Sequence, residues 1–235
     1  MDEPSFIDFD CPYCRTPIAY LSSLGGTVQD CPNCGNTPVV PRVQGEPGLV
    51  LPVPIETPRL LLRRLEPDDW KDVLEYCSDQ SLFEFMSRHP LDEEGVTRWL
   101  AEDSKARLTA PESWWNLGIV VRDFGKVIGD VGINIRNTDT FDGMLSVSIN
   151  RKFQRKGYGF EALAAMLVFC FRGIGLRRLT ASCDQRNVPA IGLLRKLGLR
   201  QEGLFLQDQY VYDEYVDTMW FAMLRTEYLE RAGTS

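Results

Sequence analysis

Residues 150 to 163 read NRKFQRKGYGFEAL. Gly157 and Gly159 stand one residue apart behind Gln154, Arg155 and Lys156, and Phe160, Leu163, Leu167, Phe171 and Ile174 follow at helical spacing. A helix start leaves backbone N–H groups unpaired and carries a partial positive charge. Glycine lets a ligand come close to the backbone, and Arg155 and Lys156 add charge. The combination favours a phosphate or pyrophosphate. The loop alone does not separate such a site from a helix start with incidental glycines, so the surrounding sequence decides.

Outward from the loop, strand-like and helix-like segments alternate. Before it lie a strand at 59–65 and helices at 66–79 and 92–108. A hairpin follows, built from WNLGIVVR and KVIGDVGINIR around DFG, and then a strand, MLSVSIN, at 144–150. After the loop and its helix come a strand at 177–183, a helix at 188–198 closed by Gly198, and two terminal strands. This order predicts an α/β fold, with helices flanking a mixed, mostly antiparallel sheet.

Four features in this order resemble the GNAT N-acetyltransferases. They are the Gln-x-x-Gly-x-Gly loop after a strand, the helix NVPAIGLLRKLGL starting at Asn187, the opening IETPRLLLRRLEPDDW and the ending DEYVDTMWFAML. The last two resemble the branch that acetylates ribosomal-protein N-termini, and the resemblance spans about residues 55–230. It implies the GNAT fold and acetyl-CoA as cosubstrate. Backbone groups of Val147 and Ile149 would hold the pantetheine arm like an added strand. Backbone N–H groups of Gln154, Arg155, Lys156, Gly157, Tyr158 and Gly159 would hold the pyrophosphate, and Asn187 would touch the pantetheine or thioester. The strand carrying Val147 should splay from the ASC strand, and an amine would attack the thioester directly, without an acyl-enzyme.

The chain departs from the pattern at its proton-transfer positions. Relatives place a glutamate where Met144 stands, so Asp142, nearby, and Asp130, on the preceding strand, are the candidate catalytic carboxylates. The usual thiolate acids, a Tyr or a Ser, are replaced by Leu194 and Ala190. An α-amine titrates at roughly 7.7–8.0 against ~10.4 for lysine and so needs less help from a base. A protein N-terminus or a small amine is the expected acceptor. A catalytically degenerate acetyl-CoA sensor with an adaptor module stays open as the alternative. Tyr210, Tyr212, Tyr215 and Asp217 near the end, and Trp114 and Trp115, are read either as acceptor-side groups or as packing.

Seven cysteines divide into two groups. Cys77, Cys170 and Cys183 lie in apolar contexts and read as small hydrophobes. Cys11, Cys14, Cys31 and Cys34 form two C-x2-C pairs, CPYC and CPNCG, whose tight turns can converge four thiolates on a tetrahedral metal. The stretch resembles a zinc ribbon; a rubredoxin-type iron site is the alternative. The expected organisation is a ribbon over 1–40, a Pro- and Gly-bearing linker over 41–56 and an acetyltransferase domain over 57–235.

Charge limits the partners. The chain carries a net −7. Within 1–40, Asp2, Glu3, Asp8, Asp10 and Asp30 face Arg15 alone, so a protein partner or a supporting role for the ribbon is favoured over nucleic acid. No apolar run of membrane-spanning length appears, and MDEPSFIDFD is not a secretory leader, so a cytoplasmic monomer or homodimer is expected. The single histidine, His89, is read as a loop residue.

Overall fold

The computed structural model describes residues 6–11, 14–22, 29–36, 38, 40, 53–86, 88–106, 108, 113–137 and 142–233. The expected linker falls largely outside them, and so do Pro12 and Tyr13 of the first cysteine turn. Near the start, β1 (Phe6–Asp10) and β2 (Pro17–Leu21) form an antiparallel hairpin of their own. Its small core is Cys11, Ile18 and Cys31, with Phe9 and Tyr20 packed against them.

The remaining strands make one sheet. They are β3 (Ile55–Glu56), β4 (Leu60–Arg63), β5 (Trp114–Val121), β6 (Lys126–Asn137), β7 (Asp142–Ile149), β8 (Arg178–Asp184), β9 (Arg200–Val211) and β10 (Glu214–Leu224). The order is β3-β4-β5-β6-β7-β8-β10-β9. Ile55 and Glu56, read from sequence as the end of the linker, pair with β4 instead. All neighbours are antiparallel except β7 and β8, which run parallel and pair only from Asp142–Met144 to Arg178–Thr180. Parallel strands need a crossover, supplied here by α3 (Tyr158–Val168) and the π-helical stretch Phe169–Ile174 that continues it.

Helices cover both faces. α1 (Trp70–Cys77) and α2 (Glu93–Asp103) bury Val73, Tyr76, Cys77, Val96 and Leu100 against Leu65, Val120 and Val127. α3 and α4 (Val188–Lys196) bury Leu163, Met166, Ile191 and Leu194 against Leu117, Val131, Ile133, Leu145 and Leu179. A nine-residue helix, α5 (Arg225–Gly233), follows β10 and stacks Tyr228 on Phe171. None of the described helices is long and apolar enough to cross a membrane.

Period-two alternation then decides what faces what. On the α3 and α4 side the central strands are apolar. On the other side the same strands carry Asn116, Asp130, Asn134, Ser148, Thr180, Asp184 and Thr218, all buried. A buried polar face costs free energy unless its groups find partners, and this one lies over the place where the sheet opens.

Candidate functional site

Beyond Met144 and Thr180 the two parallel strands stop pairing, and a cavity of about 450 Å³ lies between them. Met144 to Ser148 form one wall, Ala181 to Asp184 the other, and Asn187, Ala190, Leu193 and Leu194 of α4 the base. Phe85, Arg88, Trp99, Trp114, Asn116 and Asp130 line the side toward α1 and α2. The expected divergence of the Val147 strand from the ASC strand is therefore present.

The edge of β7 is available along this gap. Asn150 N–H donates to the Ile128 carbonyl at 2.7 Å, so residues of its parity turn their backbone groups toward β6. Val147 and Ile149 turn theirs the other way, into the opening. The Ile149 carbonyl is taken by Gln154 Nε2 at 3.0 Å, which pins the start of the loop to the end of the strand.

The loop itself is shaped by two left-handed residues, Arg155 at φ 60° and Gly157 at φ 83°. Gly157 is the N-cap of α3 and offers no side chain to cap it. The Glu161 N–H to Gly157 carbonyl bond opens the helical ladder, so the N–H groups of Tyr158, Gly159 and Phe160 precede it and point outward unpaired. Arg155 and Lys156 are exposed beside them. Helix terminus, alternating backbone and charge together make an anion cradle.

A strap that the sequence reading missed holds this cradle. Glu161 accepts from Thr57 Oγ1 at 2.6 Å, from Arg59 N–H at 2.9 Å and from Arg59 Nε at 2.6 Å. Arg59 also donates to the Lys156 carbonyl at 3.0 Å and lies over the Tyr158 ring. Burial pushes the Glu161 carboxyl up, but the bonds from Thr57 and Arg59 outweigh it and leave its pKa lowered. No local motif announces this contact, because Thr57 and Glu161 are 104 residues apart.

Asp130 sits in the cavity wall, 3% exposed, with Oδ1 lacking any hydrogen-bond partner. Burial raises its pKa, while Arg88 and Tyr76 pull the other way. Arg88 Nη2 donates to Ser148 Oγ at 3.0 Å, and Ser148 is the direct cross-strand neighbour of Asp130. Asp142 is elsewhere. It lies at the paired end of β7, outside the cavity lining, and accepts two hydrogen bonds from Arg177 at 2.8 and 2.9 Å. Its nearness to Met144 in sequence does not carry it to the opening, since β7 runs away from that end.

Asn187 is the N-cap of α4, its Oδ1 accepting from Ala190 N–H at 3.1 Å, so its amide NH2 is the group left for the cavity. Ala190 and Leu194 face the cavity as their motif positions imply, without a proton donor. Trp114 lines it too, whereas Trp115 is buried and stacks on Phe169. Tyr210 and Tyr215 are exposed and pair with each other. Tyr212 packs edge-on against His89 and donates to the Arg88 carbonyl at 3.3 Å. Asp217 is structural: it accepts from Gln207 N–H at 2.8 Å and Gln185 Nε2 at 2.6 Å, beside the bulge in β10.

The four N-terminal cysteines form a second centre. Their sulfurs all lie within 4.8 Å of one another, with Cys11 to Cys34 and Cys14 to Cys31 both at 3.8 Å. A tetrahedron with metal–sulfur bonds of about 2.3 Å has an edge of about 3.8 Å, so the donor set fits zinc. The two turns repeat one pattern. Cys11 N–H bonds the Thr16 carbonyl and Arg15 N–H the Cys11 carbonyl; Cys31 N–H bonds Asn36 and Gly35 N–H bonds Cys31. Asn33 and Thr16 hydrogen bonds lower Cys14 to about 5, the thiolate state a metal requires.

Comparison with known proteins agrees with this geometry. Residues 59–200 match the family profile described as acetyltransferase (GNAT) domain. The uncharacterized N-acetyltransferase YnaD of Bacillus subtilis is 30% identical over 177 residues, covering 74% of this chain and 98% of YnaD. An acetyltransferase of the GNAT family from Bacillus anthracis superposes with a TM-score of 0.67 at 26% identity, covering 73% of this chain and 98% of its own. A proposed ribosomal-protein-serine acetyltransferase from Vibrio cholerae gives 0.61 at 25%, covering 72% and 95%. The matches span the strands, loop and helices that build the opening, and the chain belongs to the GNAT family of N-acetyltransferases.

Proposed function

We propose that this enzyme moves the acetyl group of acetyl-CoA directly to an α-amine at a protein N-terminus, with Asp130 receiving the proton. The observation that carries the reading is Asp130, a carboxyl 3% exposed that lines the cavity and whose Oδ1 has no hydrogen-bond partner. The Gln154–Gly159 loop and the free edge of Val147 would hold the cosubstrate, placing the thioester at the strand divergence. The amine nitrogen attacks the carbonyl carbon, the C–N bond forms, the C–S bond breaks, and CoA leaves as a thiolate. Thiols titrate near ~8.5, so a thiolate leaves tolerably well even though Leu194 and Ala190 offer it no proton.

Direct transfer is supported by the lack of an activated nucleophile among the described lining residues. The thiol of Cys183 is pushed up to about 11, by burial first and Asp184 next, so it is not a thiolate. Ser148 faces an arginine rather than a base. Charge favours a single amine over a polyamine. Asp184 is ion-paired with Arg186 at 2.6 Å and Asp130 is opposed by Arg88, so the described lining residues hold no surplus of carboxylates for a polycation. The cysteine cluster, in this reading, holds a structural zinc that lets a ribbon over 1–40 fold and present an acidic surface to a protein partner.

Thiol release from acetyl-CoA tests the acceptor. A peptide with a free α-amine should turn over. The same peptide Nα-acetylated but bearing lysine, and spermidine, should be poor. A clear preference for lysine or spermidine would overturn the reading.

A further inference from the structure

The polar face of the sheet carries a second group whose orientation is fixed. Asn116 is 8% exposed and lines the cavity from β5. Its Nδ2 donates to Asp103 Oδ1 at 2.7 Å. Asp103 ends α2 and is itself buried, with Arg64 Nη2 at 3.0 Å from its Oδ2. Arg64 Nη1 donates to the backbone carbonyl of Asn116 at 2.7 Å, and its guanidinium also donates to the Asp103 carbonyl and covers the Trp115 ring. A carboxylate only accepts. The amide NH2 must therefore turn to Asp103, and Oδ1 must turn away from it.

What Oδ1 turns toward is set by a glycine. Gly132 is the cross-strand neighbour of Asn116 and of Ser146. A Cβ built there would lie 2.3 Å from Asn116 Oδ1 and 2.8 Å from Ser146 Oγ. Oδ1 and the hydroxyl thus occupy the space a side chain would fill, and both residues line the cavity. Asp130 stands opposite Gly118, two residues along from Asn116, on the same face. A buried ion pair such as Arg64–Asp103 contributes little net stability, and Asn116 is the cavity group it orients.

We infer that Asn116 Oδ1 binds the acceptor nitrogen, accepting one N–H while Asp130 accepts another, and that Asp103 and Arg64 are positioning residues for it. This rests on the reading of the preceding section. The α-amine, which titrates at roughly 7.7–8.0, gives its first proton to water and binds neutral. A neutral amine brings two N–H groups, one for Asn116 and one for Asp130. Both acceptors then hold hydrogens on their own side of the nitrogen, so the lone pair points away from them, toward the strand divergence; once the C–N bond forms and the nitrogen turns cationic, its N–H on Asp130 is the proton that transfers. An alcohol has a single O–H and cannot serve both. The pair selects nitrogen over oxygen, which is a choice any peptide starting with serine poses.

The test uses the full chain, acetyl-CoA and a hexapeptide with a free N-terminal serine. Thiol release gives kcat and KM for both substrates, and mass spectrometry of fragments locates the acetyl group. The wild type should modify nitrogen only. Asn116→Ala should lower kcat/KM for the peptide about ten- to hundredfold, the scale of a hydrogen bond from a charged donor, with KM for acetyl-CoA unchanged. Gly132→Ala should do the same by displacing Oδ1 while the ion pair stays intact. Asp103→Asn should cost peptide kcat/KM in the wild-type background and nothing further in Asn116→Ala, because it acts through that amide. If Asp103→Asn fails to fold, the Asn116 and Gly132 variants decide alone. Wild-type peptide kcat/KM in both of those variants overturns the inference and leaves the proposed function standing. No thiol release by the wild type with this peptide overturns both.

Discussion

Replacing Asp130 by asparagine keeps the shape of the cavity wall and removes its proton acceptor. A positioned acid or base contributes about 10²- to 10⁴-fold to a rate, so kcat/KM for the α-amine should fall by about that factor. KM for acetyl-CoA should hold, since the loop and the Val147 edge are untouched. The acid limb of the pH–rate profile should also disappear. In the wild type that limb should lie above the usual carboxylate range, because burial raises the Asp130 pKa. Stability should move the opposite way. A carboxyl whose folded pKa exceeds its unfolded value of ~3.9 binds its proton more tightly in the folded state, so stability falls as pH rises between the two values. The ionised carboxylate at neutral pH is therefore a cost, amounting to about 1.36 kcal/mol for each tenfold preference of the fold for the neutral form. Asp130→Asn should have the higher Tm at pH 7, and the gap should close below about pH 4. Calorimetric melts across pH, beside the thiol-release assay, measure both. A lower Tm at pH 7 together with an unchanged kcat/KM would refute the reasoning, since it would make Asp130 a packing residue whose charge the fold welcomes.

Three further outcomes follow from the loop and the cysteine centre. Gly157→Ala forces a left-handed φ on a residue with a side chain, at a cost of about 1–2 kcal/mol, and brings a Cβ to 3.2 Å from Arg59 Nη2; KM for acetyl-CoA should rise about five- to thirtyfold with kcat little changed. Glu161→Gln weakens the strap by about 1 kcal/mol, discounted because the Arg59 side chain is 46% exposed, so CoA titrations should show affinity lower by about fivefold. Because the Glu161 pKa is lowered, the wild-type strap should be complete above the ordinary glutamate value of ~4.3 and be lost as pH falls through the folded value. Metal analysis should find one zinc per chain, and chelation should expose four thiols to a thiol reagent while Cys77 and Cys170, both buried, stay protected; fewer than four newly reactive thiols would contradict a shared S4 site.

The elements proposed to hold the donor were legible in the sequence because they are local. The strand, the loop and the helix start are consecutive, and the glycines announce the backbone they permit. The cysteine turns were legible for the same reason, each being a pair within one bend. The residues proposed for the acceptor side were not. Asn116, Asp103 and Arg64 come from β5, α2 and the end of β4, and only strand register and helix docking bring them together. Asp142 shows the converse error: the two candidate carboxylates, Asp142 and Asp130, look equivalent along the chain, but Arg177 claims Asp142 at the closed end of β7. The C-terminal helix α5 went unread because its sequence is mostly polar; what holds it is the contact of Tyr228 with Phe171, not its own periodicity.

One strand serves both halves, and its geometry explains how. β7 offers the backbone of Val147 and Ile149 to its open edge, while Ser146 and Ser148 project from the acceptor face and Leu145 from the core face. Edge and faces are set by the same two-residue period, so the three assignments cannot vary independently. Slipping β7 by one residue against β6 would turn Leu145 and Val147 into the acceptor cavity and Ser146 and Ser148 into the apolar core, and would point the wrong carbonyls at the cosubstrate. The apolar residues of β7 thus do more than stabilise the sheet. By fixing register, they fix which hydroxyls the proposed acceptor would meet and which backbone groups the proposed donor would meet. This is why a chain can lose the usual proton donors on α4 and keep the architecture that aligns its two substrates.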